Sequence, residues 1–578
     1  MDKHELAAIL EEIGTLLTIK GENPFKIRAY HNAARAIESL EEDINKIIEK
    51  KALGEIPGIG ERLSKKIATI VKTGRLPYYE KLKKSIPEGL LELLKVPGLG
   101  GKKIKILYEK LKIKTVKDLL EACQKGKIAS LKGFGIKTQE NILNGITKIK
   151  TYGQRFLWWD AQAIALPLLE KIAAFKDVKK VEMAGSFRRK LETVGDLDIL
   201  AASKSPLKVI NTFIKQPFIK KVISKGPTKA SVLLNEGIQV DFRVVSEEEF
   251  SFGLIYFIGS KEHNIVIRQM AKKLGLSLSE YGFEPIDHKK PVFPKSYKPT
   301  EDEIYKILGL CYMPPEIREN MGEIEAALKK QLPKLVEERD IKGDLHCHTT
   351  ASDGHSTLKE MVLAAQKLGW EYIGISDHSK SSFQAGGLNE EQLLSQMETI
   401  HKLNKSKKFS IHIFSGLECD ILKNGKLDFP DSVLKKLDYV IASVHSSFSL
   451  DEKAMTARLI KAIENPYTKI IGHVTGRLLL LRDPYKVDLT KVIDACIQNG
   501  KIMELNAHPR RLDMDWRYWH HAKEKGLKCI INTDSHFTSD LLHYKAGVNV
   551  ARKGWLEKKD ILNTLPLSKM QSYLKKMG

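Results

Sequence analysis

The chain is expected to fold as a multidomain α/β protein. Its three parts in series are a helical front, an α+β middle and a C-terminal distorted barrel of seven β/α units. Three observations predict this. Glycine turns recur ahead of amphipathic helices within residues 1–150, and a pair of aspartates sits in an apolar strand pattern at 196 and 198. Seven apolar segments in residues 341–578 each end on a histidine or a glutamate. At 578 residues the chain exceeds what one hydrophobic core usually organises, so several domains are expected.

Composition removes some classes at once. No apolar run approaches the ~18 residues that a bilayer span needs, and the start MDKHELAAILEEIG lacks the basic-then-apolar layout of a signal peptide. The 6 cysteines form no CxxC pair, which suits reduced thiols in a cytoplasmic, nucleoid-associated protein and argues against a secreted disulfide scaffold. Net charge is +23, and residues 1–150 carry 30 Lys+Arg against 19 Asp+Glu. A basic front favours a polyanion, because each cation set against a phosphate releases condensed counterions.

The front repeats one device. GEIPGIGERLSKKI (54–67), KVPGLGGKKIKILYEK (95–110) and SLKGFGIKTQENIL (130–143) each place two glycines before a helix. The pairs are Gly58 and Gly60, Gly98 and Gly100, and Gly133 and Gly135, with Pro57 and Pro97 fixing the entry of the first two. Such turns aim backbone amides at a phosphate oxygen, and Arg62, Lys65, Lys102 and Lys103 add charge. The segment resembles the helix-hairpin-helix element, which grips DNA backbone without reading bases. Upstream, NPFKIRAYHNAARAIESL (23–40) presents Lys26, Arg28 and Arg35 on an amphipathic helix. Lys66 follows Gly58 on a helix facing the same pocket. A desolvated lysine there would form a Schiff base with an aldehyde sugar; a plain phosphate contact is the other reading.

In the middle, VEMAGSFRRKLETVGDLDILAA (181–202) puts Asp196 and Asp198 on one strand face while Leu197 and Ile199 turn inward. A second strand, GIQVDFRVV (237–245), alternates apolar Ile238, Val240 and Phe242 with Gln239, Asp241 and Arg243. Three carboxylates on neighbouring strands suit two divalent ions that assist a hydroxyl nucleophile and a departing pyrophosphate. Gly185 and Ser186 open a turn whose amides, with Arg189, suit a triphosphate.

These motifs, with GPTKASVLL (226–234) and YFIGSKEHNIVIRQMAKKLGLSLSEYGF (256–283), resemble family X DNA polymerases, the group containing polymerase beta, over roughly residues 1–315. The resemblance implies a nucleotidyltransferase palm and a thumb. Asp196, Asp198 and Asp241 would bind two Mg²⁺ or Mn²⁺ ions, with Asp241 the base for the primer 3′-hydroxyl. Ser186 and Arg189 would hold the triphosphate, and Tyr256, Phe257 and Gly259 would flank the incoming sugar. Asn264 and Arg268 would line the nascent base pair. Lys66 falls at the family's lyase nucleophile and Lys26 at a 5′-phosphate contact. Lys190 departs from the small residue usual after the two arginines.

The C-terminal segments read DLHCH to His348, IGISDH to His378, IFSGLE to Glu418, VIASVH to His445, IIGH to His473, MELNAH to His508 and IINTDSH to His536. They recur at intervals of about thirty residues, and 13 of the 17 histidines lie here. Strand, ligand, helix at that interval is the pattern of a β/α barrel with strand ends sharing one mouth, and such a mouth suits a metal-dependent hydrolase. His346 and His348 share a strand face, as do Asp534 and His536.

The whole of 341–578 resembles the polymerase and histidinol phosphatase (PHP) family, which implies three ions held by nine ligands. His346, His348, Glu418 and Asp534 would hold one, Glu418, His445 and His473 a second, and Asp353, His378 and His536 a third. Imidazole with carboxylate suits Mn²⁺ or Zn²⁺. Arg510 is expected to contact phosphate; His355 and His508 are expected outside the ligand set, and His412, His520 and His521 to be structural.

The expected divisions are a lyase-like DNA-binding domain (1–85), helix-hairpin-helix fingers (86–150), a palm (151–245) and a thumb (246–315), then a helical linker (316–340) and the PHP domain (341–578). The expected function is filling of short gaps in base excision repair with trimming of 3′ ends by a Mn²⁺-dependent 3′–5′ exonuclease. Partners would be gapped or nicked duplex DNA and dNTPs, with no membrane, and the chain would act as a monomer. Two alternatives make the barrel a metal-stabilised scaffold or a small-molecule phosphatase.

Overall fold

The computed structural model describes residues 3–38, 44–50, 52–56, 59–73, 76–94, 96, 99–131, 133–152, 155–286, 293–294 and 296–577. The chain divides into two compact units, Met1–Gln154 and Arg155–Gly578.

The first unit is helical, with no strand among its described residues. Its helices include Lys3–Lys20, Pro24–Glu38, Glu61–Thr73, Pro77–Lys84, Gly101–Leu111, Val116–Gln124 and Gly135–Tyr152. One hydrophobic core runs from Leu6 to Ile146 and draws on all of them. Turn chemistry sets the helix starts. Pro77 occupies the first turn, where its missing N–H is not needed, and Thr115 forms a reciprocal capping box with Asp118.

The second unit opens with a five-stranded sheet in the order 180–183, 196–202, 239–245, 229–234, 219–225. Asp196–Ala202 and Gln239–Val245 run parallel and the remaining pairs antiparallel. The alternation read from the sequence holds: Leu197, Val240 and Phe242 are buried while Asp196, Asp198 and Asp241 keep partial exposure. A short helix, Gly185–Arg188, follows the edge strand; Phe250–Ile258 packs against Asp196–Ala202, and Lys261–Lys273 packs against the strand Leu276–Ser279.

Residues 316–340, expected as a helical connector, are α-helical only at Glu323–Leu328. The segment is only partly exposed: Ile317, Arg318, Glu323, Ile324, Ala327, Leu335 and Val336 are buried, while Lys329, Lys330, Gln331 and Glu337 face solvent. Arg318 is fully buried and meets Glu301 at 2.7 Å, and Glu323 is fully buried against His263 at 2.7 Å.

From Gly343 onward all strand pairs are parallel, with helices such as Leu358–Lys367, Glu390–Ser406, Glu452–Ile463 and Leu489–Gln498 between them. The strands form two sheets, of three and of five. Residues 412–415 pair towards 372–375, whereas 418–420 pair towards 441–443. The break falls at Gly416, where a Cβ would stand 2.2 Å from the Tyr439 ring that fills the space between the sheets. Isolated parallel bridges join the two sheets at His378–Glu418 and Cys347–Ser535.

Within this unit the sheet and the C-terminal strands share a seam. Glu192, buried, accepts from the Trp516 indole at 3.1 Å and stands 3.6 Å from Arg477, which also pairs with Asp515 at 2.6 Å. Lys190 takes a left-handed conformation (φ 57°) and lays its ammonium over Trp158.

Candidate metal centres and nucleotide pocket

The nine C-terminal residues expected as ligands converge. Glu418 lies at the start of Glu418–Asp420, fully buried, with His473 Nε2 at 2.9 Å and His445 Nε2 at 3.2 Å from one oxygen. Its other oxygen meets His378 Nδ1 at 2.9 Å and His348 Nε2 at 3.5 Å. His346 Nε2 is 3.4 Å from Glu418 and 3.7 Å from Asp534, and His348 Nε2 is 3.2 Å from Asp534. Asp353 stands 3.3 Å from His536 and 3.5 Å from His378.

Among the described residues, three sets have ligand atoms within 4.8 Å of one another. They are His348, Asp353, His378 and His536; His346, His348 and Asp534; and His378, Glu418 and His445. His348 and His378 thus each belong to two sets, a sharing that the resemblance did not assign. His473 falls outside these sets, although it touches Glu418.

The donor set fits cations. His346 Nε2, both ring nitrogens of His348, His378 Nδ1, Glu418 Oε2 and His473 Nδ1 are buried and make no hydrogen bond. Buried polar atoms are otherwise almost always satisfied, so six orphans on these clustered side chains point to ions. Protons hold the place of that charge in the bare protein. Against the pull of burial, Glu418 and Asp420 raise His445 to about 10, and Asp353 and Asp534 raise His536 to about 9. Burial, with the neighbouring His536 and His378, lowers His348 to about 4.

Behind the ligands stands a layer that the sequence reading missed. Glu504, fully buried, meets His346 Nδ1 at 2.6 Å and accepts from the His473 backbone N–H, Asn506 and Asn532. Asp420 meets His445 Nδ1 at 2.9 Å, and Asp344 accepts from the backbone N–H groups of His346 and Thr533. Such contacts fix ring orientation and raise ligand basicity. Glu504 left a trace: it and Asn506 are i,i+2 polar residues in the otherwise apolar strand Ile502–Asn506. Arg510 is exposed, whereas its neighbour Arg511 reaches Asp534 at 3.1 Å. His355 stacks on Phe537, and His508 lies edge-on to His543.

In the five-stranded sheet Asp198 and Asp241 are register partners, with Asp196 two residues before Asp198 on the same face. Asp241 pairs with Lys229 at 2.9 Å and accepts from Gln239 at 3.1 Å. Although burial opposes it, these contacts and Ser231 hold its carboxyl below the usual carboxylate range. Burial pushes Asp198 up to about 7, with Asp196 and Asp241 adding repulsion. Gly185 (φ 57°) is required: a Cβ there would lie 2.0 Å from Asp198 Oδ2. A cavity of about 560 Å³ opens over Asp196 and Asp198; the sequence candidates Gly185, Ser186, Arg189, Tyr256, Phe257, Gly259, Asn264 and Arg268 line it together with Ile258, Lys261 and Ile265, whereas Asp241 is not part of its wall. Asn264 donates to Tyr256 O at 2.7 Å, and its own Oδ1 is buried and unpartnered.

In the helical unit, Lys66 Nζ donates to Tyr30 Oη at 2.7 Å and sits 3.8 Å from the centre of the Tyr78 ring. Burial, then the charge of Lys26, lowers its pKa. Lys26 pairs with Glu22 at 3.3 Å. Gly60 and Gly100 immediately precede Glu61–Thr73 and Gly101–Leu111, and Gly133 and Gly135 adopt positive φ of 91° and 72°. Arg62, Lys65 and Lys102 are exposed and Lys103 half-buried; Gly58 and Gly98 lie outside the described residues.

Family models match four stretches: a helix-hairpin-helix domain at 1–76, a SAM-like helix-hairpin-helix tandem at 90–148, a DNA polymerase beta thumb at 253–319 and a PHP domain at 344–508. The class so defined is a polymerase beta-type protein with an appended PHP domain. A Bacillus subtilis (strain 168) protein named DNA polymerase/3′-5′ exonuclease PolX is 40% identical over 578 residues, covering 100% of both chains. The chain belongs to that family, the PHP-containing family X DNA polymerases. A probable phosphatase of Thermoanaerobacter sp. (strain X514) is 32% identical over 244 residues, 40% of this chain and 94% of its own. One of Caldicellulosiruptor bescii is 31% identical over 213 residues, 35% of this chain and 82% of its own. No helix among the described residues is long and apolar enough to cross a membrane.

Two outcomes follow from this geometry. Glu504→Gln is expected to weaken divalent binding at the histidine mouth by about 10–100-fold while leaving the fold intact; equilibrium dialysis with Mn²⁺ checks it, and an unchanged affinity refutes the role given to Glu504. Asp198, raised in the fold, keeps its proton below about 7, so ionising it costs the bare protein stability as pH rises through that value. Mg²⁺ binding at the aspartates is therefore expected to release about one proton at pH 6 and few at pH 8. Calorimetry in buffers of different ionisation heat reads this, and equal release at both pH values contradicts it.

Proposed function

We propose that the chain fills short gaps in duplex DNA by nucleotidyl transfer and trims 3′ ends by phosphodiester hydrolysis, using two separate sites for base excision repair. The observation that carries the reading is the presence of two distinct charged centres in one unit: a carboxylate pocket of nucleotide size and a histidine mouth with six orphaned buried atoms. Divalent ions, Mg²⁺ or Mn²⁺ at the aspartates and Mn²⁺ or Zn²⁺ at the histidines, would supply charge neutralisation and Lewis acidity at phosphorus.

The chain's own residues do the rest. Asp241, held ionised by Lys229, is placed to accept the proton of the primer 3′-hydroxyl. Ser186 and Arg189 bind the triphosphate, Tyr256 and Phe257 take the sugar, and Asn264 and Arg268 face the base pair. At the other site Glu418 gathers the ligands, Glu504 and Asp420 orient two of the imidazoles, and Arg511 offers a cation to a substrate phosphate. In the helical unit the glycine turns and Arg62, Lys65 and Lys102 hold the DNA backbone, and Lys66 attacks the aldehyde of an abasic sugar. The molecule acts as a monomer in the cytoplasm.

The probable phosphatases that align with the C-terminal unit support a second reading, in which the mouth hydrolyses a small phosphomonoester.

The test uses a labelled primer at a one-nucleotide gap, in Mn²⁺, with and without dNTPs. Asp241→Ala is expected to cut extension at least about a hundredfold and spare 3′ shortening, and His346→Ala/His348→Ala the reverse. Shortening that survives loss of the histidines rejects the nuclease reading, and a phosphomonoester turned over faster than any 3′ end favours the second. Borohydride is expected to trap the wild-type chain, but not Lys66→Ala, on DNA with a 5′-terminal abasic sugar; equal trapping of both removes the lyase role.

A further inference from the structure

A lysine of the C-terminal half reaches into the wall of the nucleotide pocket. Lys553, the last residue of the helix Tyr544–Lys553, is fully buried. Its three ammonium protons have three acceptors: the Arg189 carbonyl at 3.0 Å, the Glu316 carbonyl at 3.1 Å and Glu319 Oε1 at 2.8 Å. An ammonium has three donors and no acceptor, so this set is complete. The same ammonium lies over the Trp516 ring, whose indole in turn holds Glu192, and the adjacent Arg552 pairs with Glu316 at 2.9 Å.

The same Glu319 oxygen accepts from Arg189 Nε at 3.0 Å. Arg189 also donates Nη1 to the Ile258 carbonyl at the end of Phe250–Ile258. Its Nη2 has no partner among the described residues and belongs to a side chain that lines the pocket. Gly259 leaves room for this placement, since a Cβ there would stand 3.0 Å from Arg189 Nη1. Arg189 is thus tied at its backbone oxygen, its Nε and its Nη1, and two of those three ties run through Lys553.

We infer that Lys553 is a positioning residue for nucleotidyl transfer: it fixes the carbonyl and the counter-ion of Arg189 so that Nη2 meets the incoming triphosphate. The inference rests on the reading of the cavity as the dNTP site. Glu319 holds Arg189 Nε, and Lys553 holds both Glu319 and the Arg189 carbonyl, so loss of either side chain frees the guanidinium to turn away from the pocket and weakens a charge-assisted contact to phosphate. The nuclease half would therefore contribute to polymerisation through a contact that involves none of its metal ligands.

The experiment measures dNTP KM and kcat in single-nucleotide gap filling with the full chain. Lys553→Met is expected to raise KM about tenfold with a much smaller change in kcat, and to leave Mn²⁺-dependent 3′ shortening at the wild-type rate, which reports an intact fold. Glu319→Gln, nearly isosteric, is expected to raise KM in the same direction and serves alone should the methionine variant unfold. In an Arg189→Ala background, Lys553→Met is expected to add no more than about twofold, because the two act through one contact. A KM unchanged in both Lys553→Met and Glu319→Gln overturns the inference, as does a KM effect that persists undiminished without Arg189. If Arg189→Ala itself leaves KM unchanged, the assignment of the pocket to the triphosphate fails first.

Discussion

Glu418 carries the heaviest electrostatic demand in the molecule. A fully buried carboxylate is costly unless cations surround it, and here five imidazoles approach its two oxygens. It sits where strand 412–415 gives way to 418–420, the position at which the two parallel sheets pass from one to the other. The topological break and the charge centre coincide. Every strand end of this half must then arrive at the same point, and the carboxylates behind the rings, Glu504 and Asp420, keep them turned inward.

The other centre solves the converse problem. Three carboxylates share one sheet face with Lys229 and Arg243 as nearby cations, and the deepest of them, Asp198, keeps a proton near neutrality. The histidine mouth stores surplus protons on imidazoles such as His445 and His536, whereas the aspartate face stores one on a carboxyl. Both arrangements are what a site tuned to bind cations looks like when protons stand in for the ions.

Much of this was legible because period and ligand type coincide. Asp196 and Asp198 obey the two-residue repeat of a strand, so their face followed from spacing; His346 and His348 lie beyond the strand Gly343–Asp344, as Asp534 and His536 lie beyond Lys528–Asn532, so the strand face expected for each of these pairs is not formed. Candidate positions were also visible where apolar runs end, at His348, His378, Glu418, His445, His473 and His536, but His508 ends such a run too, and Asp353, in a polar turn, entered only through the family resemblance. What spacing does not encode is who stands behind a ligand. Glu504 and Asp420 act across strands, and Arg511 displaces Arg510 through a turn whose direction no local pattern fixes. Nor did charge density reveal that Arg318 and Glu323 within 316–340 are buried: their partners, Glu301 and His263, are brought to them by the fold. At the sheet break Gly416 leaves no room for a Cβ beside the Tyr439 ring, a contact without a local signature.

The seam built from Glu192, Trp516, Arg477 and Lys553 joins the carboxylate sheet to the histidine strands through buried, ion-paired groups. A cut through the chain between the two halves would leave Glu192 without Trp516 and Arg477, and Arg189 without Lys553, so each half depends on the other to keep its buried charges matched.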